Sequence, residues 1–257
     1  MTAKRRPPQV TVPYEPRCYR NRLHPKGLVP FRVRVKETDL QVHAASDLSA
    51  ATRESVLRCR GHLESYIGAW PDFAVALTPW PMPSAAPAIV REMVSAGSRA
   101  GVGPMAAVAG AIAQAVGRDL LNLTSQVVVE NGGDIFIETD NPVTIGIYAG
   151  RSPLSLRIGL RVDPKRGDRG VCTSSGTVGH SLSRGRADAV CVVSADCALA
   201  DAAATSIGNR VRRAQDVPDA VAFGRRIDGV RGLLVIIGDR LGLWGELEVI
   251  PLKGKKG

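Results

Sequence analysis

Aromatic residues are scarce in this sequence: phenylalanine, tyrosine and tryptophan make up 4% of its 257 residues. Proteins that bind single-stranded nucleic acid by stacking need several exposed rings, so the scarcity counts against that class. Long apolar runs are missing too, and no uncharged apolar stretch approaches the roughly 18 residues of a transmembrane helix. The basic N-terminus lacks the apolar segment of a signal peptide. These absences predict a cytoplasmic protein with no membrane partner.

Paired cysteines are also missing. The chain has an odd number of cysteines and no C-x-x-C spacing; they are Cys18, Cys59, Cys172, Cys191 and Cys197. Structural zinc sites are marked by paired spacings, and disulfide frameworks in secreted proteins by even numbers of cysteines. The pattern therefore predicts a reducing compartment and argues against structural zinc.

The excess of positive charge is confined to the N-terminus. The formal net charge is +10, yet residues 1–36 hold ten lysines and arginines against one acid, Glu15. We therefore predict a basic extended arm over residues 1–29, a single domain over 30–252 and a solvated tail over 253–257. A leader that aids solubility or attracts phosphate is favoured over a nucleic-acid-binding arm.

The hydrophobic pattern predicts an α+β fold with a largely antiparallel sheet and inserted helices. Most strands follow one another through short turns, and the helices come in runs between them. The predicted strands lie near residues 31–35, 40–44, 126–130, 135–138, 143–148, 154–162, 187–194, 233–237 and 241–250. The predicted helices lie near residues 46–67, 87–96, 104–116, 198–208 and 218–223.

The helix near residues 198–208 carries the first candidate site. Ser194 and Asp196 are candidate N-caps, and the alanines that follow are the best helix formers. Asp201 and Thr205 are four residues apart, so they lie on one face. A carboxylate and a hydroxyl presented together could serve Mg²⁺, which prefers oxygen ligands. The alternative is a capped helix in which Asp201 is solvated and Thr205 bonds back to the carbonyl of residue 201.

Two further stretches combine glycine with small polar residues. The turn Asn131-Gly132-Gly133-Asp134 requires positive φ angles and predicts a hairpin. The segment Thr173-Ser174-Ser175-Gly176 follows a strand, and its amides and hydroxyls could surround an anion, although it could equally be a plain polar loop. A helix of small residues begins near Val108, where its N-terminus could face a ligand.

Taken together, these stretches resemble the ApbE-like superfamily, whose characterised members are FAD:protein FMN transferases. Those enzymes carry a V-N-A-G-G-D turn, a T-S-G segment after a strand and an A-D-A-x-A-T helix. The counterparts in this sequence are residues 129–134, 173–176 and 200–205, in the same order. The chain looks closest to a cytoplasmic branch found in methanogens and in bacteria with related one-carbon pathways, for which no activity is established.

The resemblance implies an ApbE-like fold, with Mg²⁺ and FAD as cofactors. Asp201 and Thr205 would hold Mg²⁺ beside the flavin diphosphate. The remaining pocket wall would be formed by Val108, Asn131, Gly132, Gly133, Asp134, Thr173, Ser174, Ser175 and Gly176. The sequence departs from the superfamily at Ala109 and Gln114, which stand where charged groups are expected.

Three functions are consistent with these residues. The first is a Mg²⁺-dependent enzyme acting on FAD or a related nucleotide diphosphate, with His180 as the candidate proton carrier. The second is a non-catalytic flavin- or pterin-binding protein linked to methanopterin-type one-carbon coenzymes, favoured by the missing charged groups. The third, ranked last, is an RNA-binding accessory protein that uses the basic arm. The expected partner is thus a small nucleotide or flavin, and a homo-oligomer is left open.

Overall fold

The protein is described by a computed structural model that covers residue 25 and residues 27–176 and 185–252. His180, most of the predicted arm and the predicted tail lie outside these residues. The helices are α1 (Ser49–Ala69), α2 (Ala88–Ala100), α3 (Val108–Leu120), α4 (Cys197–Gly208) and α5 (Val217–Gly224). The strands are β1 (Val29–Val35), β2 (Thr38–Ala44), β3 (Val127–Asn131), β4 (Asp134–Glu138), β5 (Val143–Gly146), β6 (Ile158–Val162), β7 (Gly170–Ser174), β8 (Ala189–Ser194), β9 (Val230–Ile237), β10 (Arg240–Gly245) and β11 (Glu248–Pro251).

The strands form two sheets in which neighbours pair antiparallel. The large sheet has the order β1-β2-β3-β4-β7-β8-β9-β10, and the small sheet has the order β11-β6-β5. Tight turns join β1 to β2, β3 to β4 and β9 to β10, whereas helices lie in the chain between β2 and β3 and between β8 and β9. The α+β fold with a largely antiparallel sheet is therefore confirmed.

The large sheet separates two apolar cores. Side chains alternate across a strand, so on β3 Val127 and Val129 pack towards the helices, while Val128 packs towards the small sheet. Strand β8 has one core on each side of it, so side chains on both of its faces are covered and all six of its residues are buried. The result is three layers: helices, the large sheet and the small sheet. The candidate site lies in the helical layer and at the turns that border it.

The strand predicted over residues 154–162 is wrong in its first half. Only Ile158–Val162 forms a strand. Leu156 adopts a positive φ of 54°, and its amide donates to the carbonyl of Ile147 at 2.7 Å. The hydroxyl of Ser155 accepts a hydrogen bond from the amide of Ala149 at 3.0 Å. Leu154 and Leu156 therefore belong to a turn, although their alternation with polar residues is typical of a strand.

The predicted closing strand over residues 241–250 is divided between the two sheets. Arg240–Gly245 completes the hairpin with β9, whereas Glu248–Pro251 pairs with β6 in the small sheet. The break comes at Gly245, whose φ is 92°. A side chain at this position would strike the carbonyl of Arg231, so a glycine is needed where the chain leaves the large sheet.

Within the described part of the chain, no single helix has the length and apolar character of a membrane span. Helix α2 and residues 104–120 reach that length only as a pair bent by 104°.

Candidate functional site

Helix α4 begins at a well-formed cap. The side chain of Asp196 accepts a hydrogen bond from the amide of Leu199 at 3.2 Å, which satisfies a donor that the first helical turn leaves unpaired. The hydroxyl of Ser194 accepts from the amide of Asp196 at 3.1 Å and donates to the carbonyl of Gly229 at 2.8 Å. Of the two predicted caps, Asp196 is the N-cap and Ser194 supports it.

Asp201 contacts the N-terminus of α3. Its Oδ2 accepts a hydrogen bond from the amide of Gly110 at 2.9 Å, and the amide of Ala109 donates to it as well. These two amides belong to the first turn of α3, where backbone donors lack partners within the helix. The carboxylate of one helix therefore caps the next, and the solvated Asp201 of the alternative interpretation is not observed.

Burial dominates the electrostatics of this carboxyl group. Desolvation raises the pKa of Asp201 from its ordinary value of 3.8 to about 7, and the hydrogen bonds from Gly110 and Ala109 offset part of the rise. The group therefore exchanges its proton near neutral pH. A cation bound beside it would favour the ionised form and lower the pKa again.

Thr205 lies one turn after Asp201 on the same face of α4 and is partly buried. Its hydroxyl forms no hydrogen bond with any residue in the described ranges, the carbonyl of Asp201 included. The back-bonding expected of a purely structural threonine is thus not seen there. The hydroxyl is left with acceptor capacity beside the Asp201 carboxylate.

The side chain of Gln114 joins three helices beneath this site. Its Oε1 accepts from the amide of Cys197 at 2.8 Å, which tethers the start of α4. Its Nε2 donates to Glu92 at 2.9 Å and to Asp196 at 3.4 Å. Sequence reasoning noted Gln114 only as a missing charge, yet the residue organises the site. The signal was a single polar side chain among the small and apolar residues 108–117.

The β3–β4 turn approaches α3 from the sheet. Gly132 and Gly133 have φ angles of 69° and 107°, as the hairpin prediction required. The side-chain amide of Asn131 donates to the carbonyl of Ala109 at 3.0 Å. Glu130, which the sequence did not single out, accepts from the amide of Gly133 at 2.9 Å and is buried. The turn is thus fastened to the same α3 residues that Asp201 caps.

The first residue of the predicted T-S-S-G segment, residues 173–176, is hydrogen-bonded to the β3–β4 turn. The amide of Thr173 donates to the carbonyl of Gly133 at 3.1 Å, so Thr173 borders the turn. Gly176 instead donates its amide to the carbonyl of Ala187 at 2.9 Å. Hydrogen bonds therefore link the N-terminus of α3, where Asp201 binds, to Asn131 and connect the same turn to Thr173, whereas Gly176 pairs with Ala187. His180 lies outside the described residues.

The donors at this position fit a Mg²⁺ ion that is shared with a phosphate. In residues 27–176 and 185–252 no group of three or more His, Cys, Asp or Glu side chains could hold a metal. Mg²⁺ is commonly bound by one or two protein groups together with waters and substrate phosphates. Asp201 and Thr205 supply that number. A carboxylate has about four lone-pair positions, so two amide hydrogen bonds leave room for a cation.

Two buried thiols lie behind the site. The Sγ atoms of Cys172 and Cys197 are 3.5 Å apart, and the Cys172 thiol also donates to the carbonyl of Cys197 at 3.3 Å. Burial raises the pKa of Cys59 and Cys172, and that of Cys191 to about 11. The thiolate is the reactive form. Burial keeps reagents away from these thiols, and their raised pKa keeps them in the unreactive protonated form.

We therefore expect the four cysteines of the described ranges to be unreactive in the native protein. In a Cys18→Ser variant, a thiol reagent such as DTNB should label none of them within minutes at pH 8 and all four in denaturant. A thiol that reacts rapidly in the native state, or a Cys172–Cys197 disulfide in the purified protein, would contradict this expectation.

Comparison with known proteins identifies the family. A family model described as "AbpE bacteria" matches residues 20–227. The chain belongs to this family. This AbpE family member is 42% identical over 220 residues to a UPF0280 protein of Methanocella arvoryzae, with 85% of this chain and 89% of the relative covered. A UPF0280 protein of Methanosarcina acetivorans is 42% identical over 231 residues, covering 86% and 90%.

Solved structures confirm the fold of this AbpE family member. The flavinyl transferase ApbE of Pseudomonas stutzeri superposes with a TM-score of 0.57 at 16% identity, covering 84% of this chain and 94% of the other. The apbe protein of Thermotoga maritima superposes with a TM-score of 0.54 at 15% identity, covering 85% and 97%. The resemblance to an ApbE-like branch is thus confirmed at the level of family and fold.

Proposed function

We propose that this protein binds FAD or a related flavin nucleotide, with Mg²⁺ between the diphosphate and α4, and cleaves the diphosphate. One observation carries the proposal: the largely desolvated carboxylate of Asp201 contacts the N-terminus of α3, to which the β3–β4 turn is also bonded, and the Thr205 hydroxyl one helical turn away has no partner among the described residues. Helix N-termini favour phosphate groups. Structural neighbours with the same fold are named flavin and flavinyl transferases, which supports the choice of ligand.

Some residues of the chain would bind the cation, and others would position the helices that carry them. Asp201 and Thr205 would hold the cation, and the cation would neutralise charge that develops on the diphosphate. Asn131 fixes the position of α3 through the carbonyl of Ala109, and Gln114 fixes the start of α4. Cleavage by water would break the phosphoanhydride of FAD and give FMN and AMP. With an acceptor hydroxyl in place of water, FMN would be transferred and AMP released.

A second candidate is binding of a flavin or pterin without turnover. It is favoured by the side chain of Gln114, which is neutral and uses both its oxygen and its nitrogen within the fold. Around Asp201, the hydrogen-bonded groups of the described residues are backbone amides. The His180 proton carrier remains a prediction. Under this candidate Asp201 would still contribute to affinity, but no FMN would form.

The test is FAD binding measured by calorimetry with and without Mg²⁺, combined with chromatographic detection of FMN and AMP. We expect Thr205→Val, which removes only the hydroxyl, to weaken Mg²⁺-dependent binding by about tenfold, the cost of losing one strong contact. We expect the Mg²⁺-dependent affinity to rise from pH 6 to pH 8, since only ionised Asp201 binds the cation and its pKa is about 7.

Asp239→Asn is the matched control, because Asp239 is exposed in the β9–β10 turn, where the neighbouring Gly238 contacts Ser152 and Asp188, neither of which is a site residue. It should leave affinity unchanged. Release of FMN and AMP supports the enzyme, and tight binding without these products supports the second candidate. Absence of any Mg²⁺-dependent FAD binding by the wild-type protein would refute the proposed function.

A further inference from the structure

A separate cavity lies at the C-terminal ends of α2, α4 and α5 and is lined by three arginines. Its volume is about 220 Å³, and the residues that define its character are Ser98, Arg99, Gly101, Arg210, Phe223 and Arg226. Pockets for drug-sized ligands span roughly 300–1,000 Å³. The volume of this cavity is therefore that of a small group.

The cavity is on a different face of α4 from Asp201. Successive residues turn by about 100° around a helix, so Ser206 points about 140° away from Asp201. The hydroxyl of Ser206 donates to the carbonyl of Ala100 at 2.7 Å, which fixes this face of α4 against the end of α2. Asp201 instead contacts α3. The two positions are thus separated by the helix itself.

The guanidinium of Arg210 is held in a fixed position at the cavity wall. Its central carbon lies 3.5 Å from the centroid of the Phe223 ring, a cation–π contact. Its Nη1 donates to the carbonyl of Ser206 at 3.1 Å. One nitrogen and one face are therefore used inside the protein. A guanidinium has five N–H donors, so others remain for an oxyanion.

The positive charge of the cavity is only partly balanced. The Arg99 guanidinium lies 3.8 Å from Asp196 and 3.6 Å from Asp228, and its Nη2 donates to the carbonyl of Asp228 at 2.6 Å. Within residues 27–176 and 185–252, Arg210 and Arg226 form no ion pair with a carboxylate. Cations near helix C-termini are individually favourable, but Arg210 and Arg226 line one small cavity without a carboxylate partner among the described residues, and their like charges repel. An anion between them would relieve that repulsion.

We propose that this cavity binds a phosphate group, either as inorganic phosphate or as part of a small phosphomonoester. Planar guanidinium groups bind phosphate oxygens through paired, charge-assisted hydrogen bonds, and the cavity offers two arginines for this role, the fixed Arg210 and the exposed Arg226. The site is independent of the proposed flavin site, and each can be tested without the other.

The chain offers a matched pair of variants for the test. Arg225 and Arg226 are adjacent and both exposed at the end of α5, but only Arg226 lines the cavity. Both Arg225→Gln and Arg226→Gln remove one surface charge and should fold. Inorganic phosphate and glycerol 3-phosphate would be titrated at constant ionic strength against chloride, with calorimetric affinity and melting temperature as readouts. The comparison removes the general stabilising effect of phosphate on proteins.

We expect saturable binding of phosphate by the wild type and by Arg225→Gln, weakened by at least about tenfold in Arg226→Gln, the scale of a lost charged hydrogen bond. Equal responses to the two ligands would identify free phosphate as sufficient, and a stronger response to the ester would identify a phosphomonoester. Asp201→Asn should retain the response. Equal behaviour of the Arg225 and Arg226 variants, a shift that does not saturate, or loss of binding in Asp201→Asn would overturn the proposal.

Discussion

Asp201→Asn is expected to make the protein more stable at pH 8, and the gain should disappear towards pH 4. Burial raises the pKa of Asp201 to about 7 in the folded state, above its ordinary value of 3.8. The folded state therefore holds this proton more tightly than the unfolded state. The resulting stability is fully present below about pH 4 and is lost as the pH rises through about 7.

The variant should separate charge from hydrogen bonding. Asparagine keeps an oxygen that can accept from the amide of Gly110, but it has no proton to lose. The free energy of unfolding of Asp201→Asn relative to wild type should rise between about pH 4 and pH 7 by up to about 1.4 kcal/mol per pH unit and level off above pH 8. Urea unfolding at half-unit pH steps would measure it.

Asp201→Ala is the control for the hydrogen bonds. It removes the acceptor as well as the charge, so the amides of Ala109 and Gly110 lose their partner. The free energy of unfolding at pH 8 should therefore increase less in Asp201→Ala than in Asp201→Asn. A difference between Asn and wild type that does not change with pH would mean that Asp201 titrates at its ordinary value. Added Mg²⁺ with FAD should stabilise wild type at pH 8 and leave Asp201→Asn unaffected.

Features determined by local chemistry could be predicted from the sequence. The Asn131–Asp134 turn was predicted because two adjacent glycines allow the positive φ angles that a tight hairpin requires. Helix α4 was predicted because Asp196 is a good cap and alanine a good helix former. The resemblance to the family was based on the motifs in these elements and on their order along the chain. The family match and the fold confirm it.

Features determined by distant contacts could not be predicted. Leu154 and Leu156 alternate with polar residues, but whether they form a strand depends on how the chain meets Ile147. The burial of Asp201 likewise depends on α3, which is about ninety residues earlier in the chain. From α4 alone, Asp201 could as well be solvated. The position of Gly110 against α4, which brings the two helices together, has no signal in local spacing.

Gly110→Ala is expected to be strongly destabilising, although alanine is a better helix former by about 1 kcal/mol. A methyl group here would strike the carbonyl oxygen of Cys197 and lie 2.9 Å from Cβ of Asp201. The Cys197 carbonyl belongs to the backbone and cannot rotate away, so α3 and α4 must separate. Overpacking of this kind typically costs about 1–3 kcal/mol, and the separation would also weaken the Gly110–Asp201 hydrogen bond. Urea unfolding and Mg²⁺-dependent FAD binding should both report the loss.

Gly61→Ala supplies the same substitution in a helix without the close approach. Gly61 is exposed on α1, and a methyl group there would meet no atom within 4 Å. Its expected effect is a gain of about 0.5–1 kcal/mol from helix propensity alone. One substitution should thus have opposite signs at two helical glycines, because only Gly110 lies where the α3 and α4 backbones meet. A neutral or stabilising Gly110→Ala would show that the two helices can move apart freely, and the Asp201 site would then lack the rigid support that its proposed role requires.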